Sequence, residues 1–255
     1  MGPTSSRKWP ILSASSAERI GLCAYPWLNG VIHSDPVFTN HYMRRGTLVG
    51  MAATRHVNGA LTDHDADKTL DVDLAMSEGG VDRWLRLRAW LDETIPKYAA
   101  AVGEPAYSMD MDGLIQSEGV DINRRYPDEN RFFGSLDLVL ISLDKASRTV
   151  VDYKCGARVY PKYFMQVACQ MAMCDAKHGM ILQVFPDKPP KEHVVPYSSV
   201  AAARDLMVRA LRARASGDVR PVVGKHCTDC VHRSLCDAKA AHEQLLQDRA
   251  EGQQA

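Results

Sequence analysis

The sequence predicts a single domain that mixes helices with a central sheet, of the α/β or α+β class, on three observations. Apolar residues recur at helical spacing in the first hundred positions, two strand-like runs are joined by a short polar linker in the middle, and a helix and a further strand follow directly. Residues 13–22 begin with Ser15-x-x-Glu18, a capping box whose hydroxyl and carboxylate can each cover a free backbone N–H, so a short helix is expected there. Cys23 and Pro26 close it. Residues 41–58 (HYMRRGTLVGMAATRHVN) spell a helix in spite of Gly46 and Gly50, and the polar segment 60–77 a loop. Within 78–101, Trp84, Leu87, Leu91 and Ile95 share one helical face.

The pattern changes at residue 104. Residues 104–111 read as a strand and 113–130 as an irregular polar insertion. Residues 132–142 (FFGSLDLVLIS) and 148–154 (RTVVDYK) are rich in β-branched and aromatic residues, and the linker Leu143-Asp144-Lys145-Ala146-Ser147 makes them a hairpin. A helix over 161–177, a strand over 180–185, a Pro-rich turn at 186–190 and a long helix over 198–215 follow. A cysteine-rich tail and a polar helix over 237–249 end the chain. The expected organisation is a flexible segment 1–12, one domain over 13–236 with its core at 104–185, and a C-terminal helix and tail over 237–255.

With 255 residues, 45% of them hydrophobic and 24% charged, the chain is too apolar to be disordered. Its 31 basic and 31 acidic residues cancel, so it lacks the overall basic excess of many non-specific nucleic-acid binders. The charges are nevertheless uneven. Residues 63–82 are acidic, whereas Arg44, Arg45, Arg124, Arg125 and Arg131 lie nearer the middle, and Arg204, Arg209, Arg212, Arg214, Arg220 and Lys225 run towards the C-terminus. A local basic groove is compatible with that distribution. No signal-like apolar run opens the sequence, and no stretch approaches the roughly 20 apolar residues of a membrane span, so a cytoplasmic location without membrane contact is expected. Thiols stay reduced in the cytoplasm, and grouped cysteines there point to metal binding rather than disulfides.

The strongest chemical signal is Gly134-Ser135-Leu136-Asp137, then fourteen residues, then Asp152-Tyr153-Lys154. Side chains alternate along a strand, so Asp152 and Lys154 point to one face and Tyr153 to the other. A hairpin turning near 143–147 brings Asp137 beside Asp152. Two neighbouring carboxylates repel unless a cation lies between them, and oxygen donors of this kind suit Mg²⁺ or Mn²⁺. The Tyr153 carbonyl is a natural further ligand. Lys154 would face the same water and could orient it or stabilise charge on a phosphate. A D-x-K triplet alone is common on surface hairpins. Here the apolar Val150-Val151 places the acid at the end of a core strand.

The run GSLDLVLI…TVVDYKCG…YFMQVACQ resembles the RecB-like branch of the PD-(D/E)xK nucleases. The resemblance implies a restriction-endonuclease-like core with a central mixed sheet flanked by helices. Asp137 and Asp152 match the family's two acids, Lys154 its lysine and Gln166 the glutamine of its helical Gln-x-x-x-Tyr motif, whose tyrosine position is Gln170 here. An acid on the preceding strand is usual in the family; Glu104 matches it best, with Asp110 and Asp112 as rivals. The family's Gly-Thr-x-x-His turn appears as Gly46-Thr47-Leu48-Val49-Gly50, without the histidine, and His56 is the nearby substitute.

The tail Cys227-Thr-Asp-Cys230-Val-His-Arg-Ser-Leu-Cys236 gathers three thiolates that need a fourth ligand for a tetrahedral zinc site or a cubane cluster. His226 or His232 could complete a zinc site, and Cys23 is the other candidate. Alone, the tail favours zinc. One distant N-terminal cysteine plus C-x2-C and a third cysteine, flanking a RecB-like core, instead resembles the iron–sulfur nucleases, among them AddB-type helicase–nuclease subunits, CRISPR-associated RecB-like adaptation nucleases and related phage nucleases. That resemblance implies a [4Fe–4S] cluster on Cys23, Cys227, Cys230 and Cys236, tying segments 13–30 and 221–240 together. Cys155, Cys169 and Cys174 read as structural.

No base-reading motif is present, so contacts to DNA would go to phosphates. Arg158, Lys162 and Tyr163, just beyond the D-x-K strand, are candidates. The arginines over 204–214 are a weaker set, because arginines on a helix usually form a solvated face. The resemblance implies a Mg²⁺- or Mn²⁺-dependent deoxyribonuclease acting from DNA ends, 5′-to-3′, in recombination, repair or phage DNA metabolism, with a helicase or recombination protein as partner. The alternatives are a catalytically degenerate nuclease fold that binds DNA ends or a partner, and a zinc-bound interaction domain.

Overall fold

The computed structural model describes residues 12–17, 20, 41–59, 71–119 and 131–216. A two-residue strand β1 (Leu12–Ser13) and a 3-10 turn (Ala14–Ser16) open it. Helices α1 (His41–Asn58) and α2 (Gly80–Thr94) follow, the latter ending in a 3-10 turn at Ile95–Lys97. Pro96 has no N–H to extend the helix, which is why the expected 78–101 helix stops early. Strands β2 (Ala100–Gly103), β3 (Ala106–Met109), β4 (Ile115–Gly119), β5 (Phe132–Ser135), β6 (Leu138–Ile141) and β7 (Arg148–Lys154) come next. Helix α3 (Pro161–Cys174), strands β8 (His178–Gln183) and β9 (Lys191–Val195), and helix α4 (Ser199–Ser216) complete the described chain.

The strands form two sheets. One has the order β1-β5-β3-β4 and the other β2-β6-β7-β8-β9. In the second, β7 and β8 are parallel while the remaining neighbours are antiparallel. Helix α3 is the crossover that a parallel β7–β8 pair requires. The five-stranded sheet is covered on both faces. Val139, Val150 and Ile181 pack with α3 and α4, whereas Leu138, Leu140, Val151 and Leu182 pack with Leu48, Val49 and Ala53 of α1 and Leu87 and Leu91 of α2. Burial on both faces explains why β6 and the middle of β7 read as continuous apolar runs rather than alternating ones. The α/β class with mixed sheets and flanking helices is therefore present. Among the described residues no helix is long and apolar enough to cross a membrane.

The expected 132–142 strand is broken in two. Gly103 pairs with Leu138 and Ala106 with Ser135, so β2–β3 and β5–β6 run side by side and leave one sheet for the other at the same level. The crossing residues hold each other: Glu104 N–H donates to the Asp137 carbonyl at 3.2 Å and Leu136 N–H to the Pro105 carbonyl at 3.0 Å. This double bend is where the first acidic residues emerge.

Candidate active site

Asp137 lies one step beyond the Leu138–Val151 pair of the β6–β7 ladder, which sets it opposite Asp152. Its Oδ2 accepts the backbone N–H of Tyr153 at 2.6 Å, a short bond that fixes the carboxylate at the bend. Asp152 is 1% exposed. Its Oδ1 accepts from Gln166 Nε2 on α3 at 2.8 Å. Its Oδ2 stands 2.5 Å from Lys154 Nζ, a buried ion pair that is its close polar contact among the described residues. The Gln170 amide, whose Nε2 donates to the Ser135 carbonyl at 3.2 Å, also lies against this carboxylate.

Burial and mutual repulsion set the electrostatics. Desolvation, then the Asp152 charge, push the Asp137 carboxyl up to about 7, against the pull of Lys154 and the Tyr153 N–H. Desolvation raises Asp152 as well, and Lys154 draws it back. Burial alone would lower Lys154, but the Asp152 and Asp137 carboxylates outweigh it and hold the ammonium above its ordinary value. The result is a cluster of two carboxylates and one ammonium, short of one positive charge.

Glu104 occupies the other side of the bend. Its φ of 50° is left-handed, an uncommon conformation for glutamate that marks a position held by its surroundings. Partial desolvation raises its carboxyl, and its charge in turn raises Asp137. The rival Asp110 is engaged elsewhere. Its Oδ1 accepts the N–H groups of Asp112 and Leu114 in the β3–β4 turn, and its Oδ2 is 3.5 Å from Arg131. His56 is also engaged elsewhere, with Nε2 at 2.6 Å from Asp92 Oδ1 and its ring edge-on to Trp84. Cys23, Cys227, Cys230 and Cys236 fall outside the described residues, as does the expected helix at 237–249. The side chains of Tyr153 and Cys155 turn to the α1–α2 face, away from Asp152; Cys169 and Cys174 are core residues of α3.

Among the described residues, no three His, Cys, Asp or Glu side chains gather closely enough to hold a metal ion by themselves. The Asp137–Asp152 pair nonetheless fits a hard divalent cation. Both donors are carboxylates, the Asp152 charge disfavours ionisation of Asp137, and the buried Asp152 Oδ2 is balanced by the single ammonium of Lys154.

At the mouth of the site, Lys154 Nζ lies 4.8 Å from the centre of the Tyr163 ring and Lys162 Nζ 5.5 Å from it. Lys162 and Arg158 are exposed. Sequence reasoning missed Tyr160, which precedes α3 beside Tyr163, and it missed that Arg83 and Arg45, the latter counted towards a basic groove, turn inward. Arg45 is buried and donates to the Glu78 carbonyl at 3.0 Å, while Arg83 donates to the neighbouring Gly79 carbonyl at 2.9 Å. Only their helical spacing relative to the α1 and α2 core positions could have signalled that they turn inward.

Gln166→Ala should lower activity about tenfold, the loss expected when a buried carboxylate gives up one hydrogen bond. Steady-state cleavage rates at saturating metal check this. An unchanged rate would leave the glutamine no part in holding Asp152.

The model of the PD-(D/E)XK nuclease superfamily matches residues 11–237. No curated protein matches the chain. Among solved structures it is similar to one named "Putative exonuclease" from Eubacterium rectale, at 13% identity over 91% of this chain and 93% of that one with a TM-score of 0.49. It is also similar to an alkaline exonuclease from Laribacter hongkongensis, at 10% identity over 84% and 91% with a TM-score of 0.39. The family match spans helices α1 to α4, both sheets and every residue of the acidic cluster, and the chain belongs to the PD-(D/E)XK nuclease superfamily.

Proposed function

We propose that the protein is a Mg²⁺- or Mn²⁺-dependent deoxyribonuclease that acts from DNA ends. The observation that carries this reading is the buried Asp137–Asp152 pair with Lys154 Nζ 2.5 Å from Asp152. Asp137 and Asp152 would hold the ion, with Glu104 and the Tyr153 carbonyl as further oxygen donors. When bound, the ion supplies Lewis-acid activation of a phosphate and of water. Gln166 keeps the Asp152 carboxylate turned towards the site. Lys154, beside Asp152, would keep its charge next to the scissile phosphate and stabilise the negative charge that builds there. Arg158, Lys162 and Tyr163 grip the backbone on the side where α3 begins.

We place the protein in the RecB-like iron–sulfur branch, on the strength of the Cys23…Cys227-x2-Cys230-x5-Cys236 spacing. A [4Fe–4S] cluster there would tie the two ends of the chain and close a very long loop. The setting is recombination, repair or phage DNA metabolism, the polarity 5′-to-3′, the location cytoplasmic, and a helicase or recombination protein the partner.

The test uses anaerobically purified protein and end-labelled single- and double-stranded DNA, with Mn²⁺, Mg²⁺ or EDTA. Metal-dependent shortening from the labelled ends, blocked by EDTA, is expected. Protein that is brown with broad absorption near roughly 400 nm, yet cleaves nothing, would favour a DNA-end-binding relative that has lost catalysis. A colourless, zinc-loaded protein would remove the iron–sulfur assignment.

A further inference from the structure

Tyr160 has no part in the acidic cluster, yet it stands one ring away from its lysine. It is 50% exposed, and its ring meets Tyr163 edge-to-face at 5.7 Å between centres. Tyr163 is half-buried against the core, with Lys154 on its ring. Lys162 Nζ lies 5.7 Å from the centre of the Tyr160 ring and 5.5 Å from that of Tyr163. The backbone beneath is fixed: Tyr160 is the residue before helix α3, Pro161 occupies the first helical position, and the Tyr163 N–H donates to the Tyr160 carbonyl at 3.0 Å. An amphipathic ring is thus held at the surface on a rigid mount, one aromatic contact away from the lysine of the acidic cluster.

Exposed aromatics beside cations are how proteins hold single-stranded nucleic acid, because every unpaired base offers a face to stack on while the cations take the phosphates. Paired bases inside a duplex offer no such face. We propose that Tyr160 is a stacking platform for an unpaired base, so that the substrate class is DNA with a single-stranded end rather than a blunt duplex. The inference rests on the nuclease reading for its meaning, but it predicts binding that can be read without cleavage. Lys162 neutralises the adjoining phosphate, and Tyr163 braces the platform against Lys154.

The experiment compares wild type, Tyr160→Ala and Tyr160→Phe in EDTA, by fluorescence anisotropy on a labelled single-stranded oligonucleotide and on the blunt duplex of the same sequence. A second oligonucleotide carries 2-aminopurine at its terminal base. Tyr160→Ala should weaken single-strand binding by roughly tenfold, the effect of losing one stacked base, and leave duplex binding within about twofold. Tyr160→Phe should bind as wild type does, and the 2-aminopurine fluorescence quenched by wild type should return in Tyr160→Ala. Equal loss on both substrates, or no loss on either, overturns the platform. Selective loss together with no metal-dependent cleavage by wild type would uphold the platform and count against the nuclease reading alone.

Discussion

Asp152→Asn should abolish metal-dependent DNA cleavage, by about 10³-fold or more, the scale seen when a principal electrostatic contributor is removed from a preorganised site. The side chain is 1% exposed at the C-terminal end of β7, pinned on one oxygen by Gln166 and paired with Lys154 on the other. An amide of the same shape can still accept from Gln166 through its oxygen. Its NH2 would then face Lys154 and could not bind a cation. Charge is lost while shape is kept, so circular dichroism should be unchanged and catalysis gone. Cleavage of end-labelled DNA in Mn²⁺ measures this. A variant that keeps a tenth or more of wild-type activity would move the metal away from Asp152.

The D-x-K triplet and its partner acid were readable because strand alternation and hairpin closure are short-range rules. Once β6 and β7 pair through the short linker 142–147, Asp137 has little choice but to meet Asp152. The glutamine of α3 was readable only through the family resemblance, since nothing in helical spacing says which strand residue a crossover helix will touch. The helices α1, α3 and α4 fell close to their expected bounds because their apolar stripes are long, whereas α2 ends at Thr94, short of the expected residue 101, where β2 has already begun. Strands β4 and β9 escaped detection. IQSEG and KEHVV are short and polar, and each is an edge strand where one neighbour suffices. The opening segment was expected as a capped helix but begins with β1, whose Leu12–Ser13 pairs with Phe132–Phe133 more than a hundred residues away. A local capping signal cannot weigh such a partner.

The bend at Glu104 and Asp137 was likewise beyond local reading, and it explains why this site has the acids it has. Two adjacent strands must leave one sheet for the other, and their carbonyls and N–H groups are satisfied across the gap by the Glu104–Asp137 and Leu136–Pro105 bonds. Glu104 takes a left-handed φ to make the turn, against the extended backbone that the following Pro105 favours. The acids therefore sit where the backbone is already irregular, at the end of the parallel pair β7–β8. Ligands in open α/β sheets commonly bind beyond the carboxyl ends of such strands.

Lys154→Met should destabilise the metal-free protein by about 3–5 kcal/mol, the usual effect of removing one partner from a buried ion pair. The loss should depend on pH. In the folded protein Asp137 is pushed up to about 7, whereas in the unfolded chain it titrates near the ordinary value of about 3.9. Between those values the folded state binds a proton that the unfolded state has released, so this group's contribution to stability falls as pH rises. Without the ammonium, which pulls the Asp137 value down, the fall should extend to higher pH. Thermal unfolding in EDTA at pH 5 and pH 8 should thus show a larger gap between variant and wild type at pH 8. Asp137→Asn should flatten the dependence. Millimolar Mn²⁺ should recover most of the gap at pH 8 and little at pH 5, because a divalent cation replaces the missing positive charge only where both carboxyls are ionised. A variant as stable as wild type at pH 8, or one indifferent to Mn²⁺ there, would mean that Asp137 and Asp152 do not share one cation-binding field.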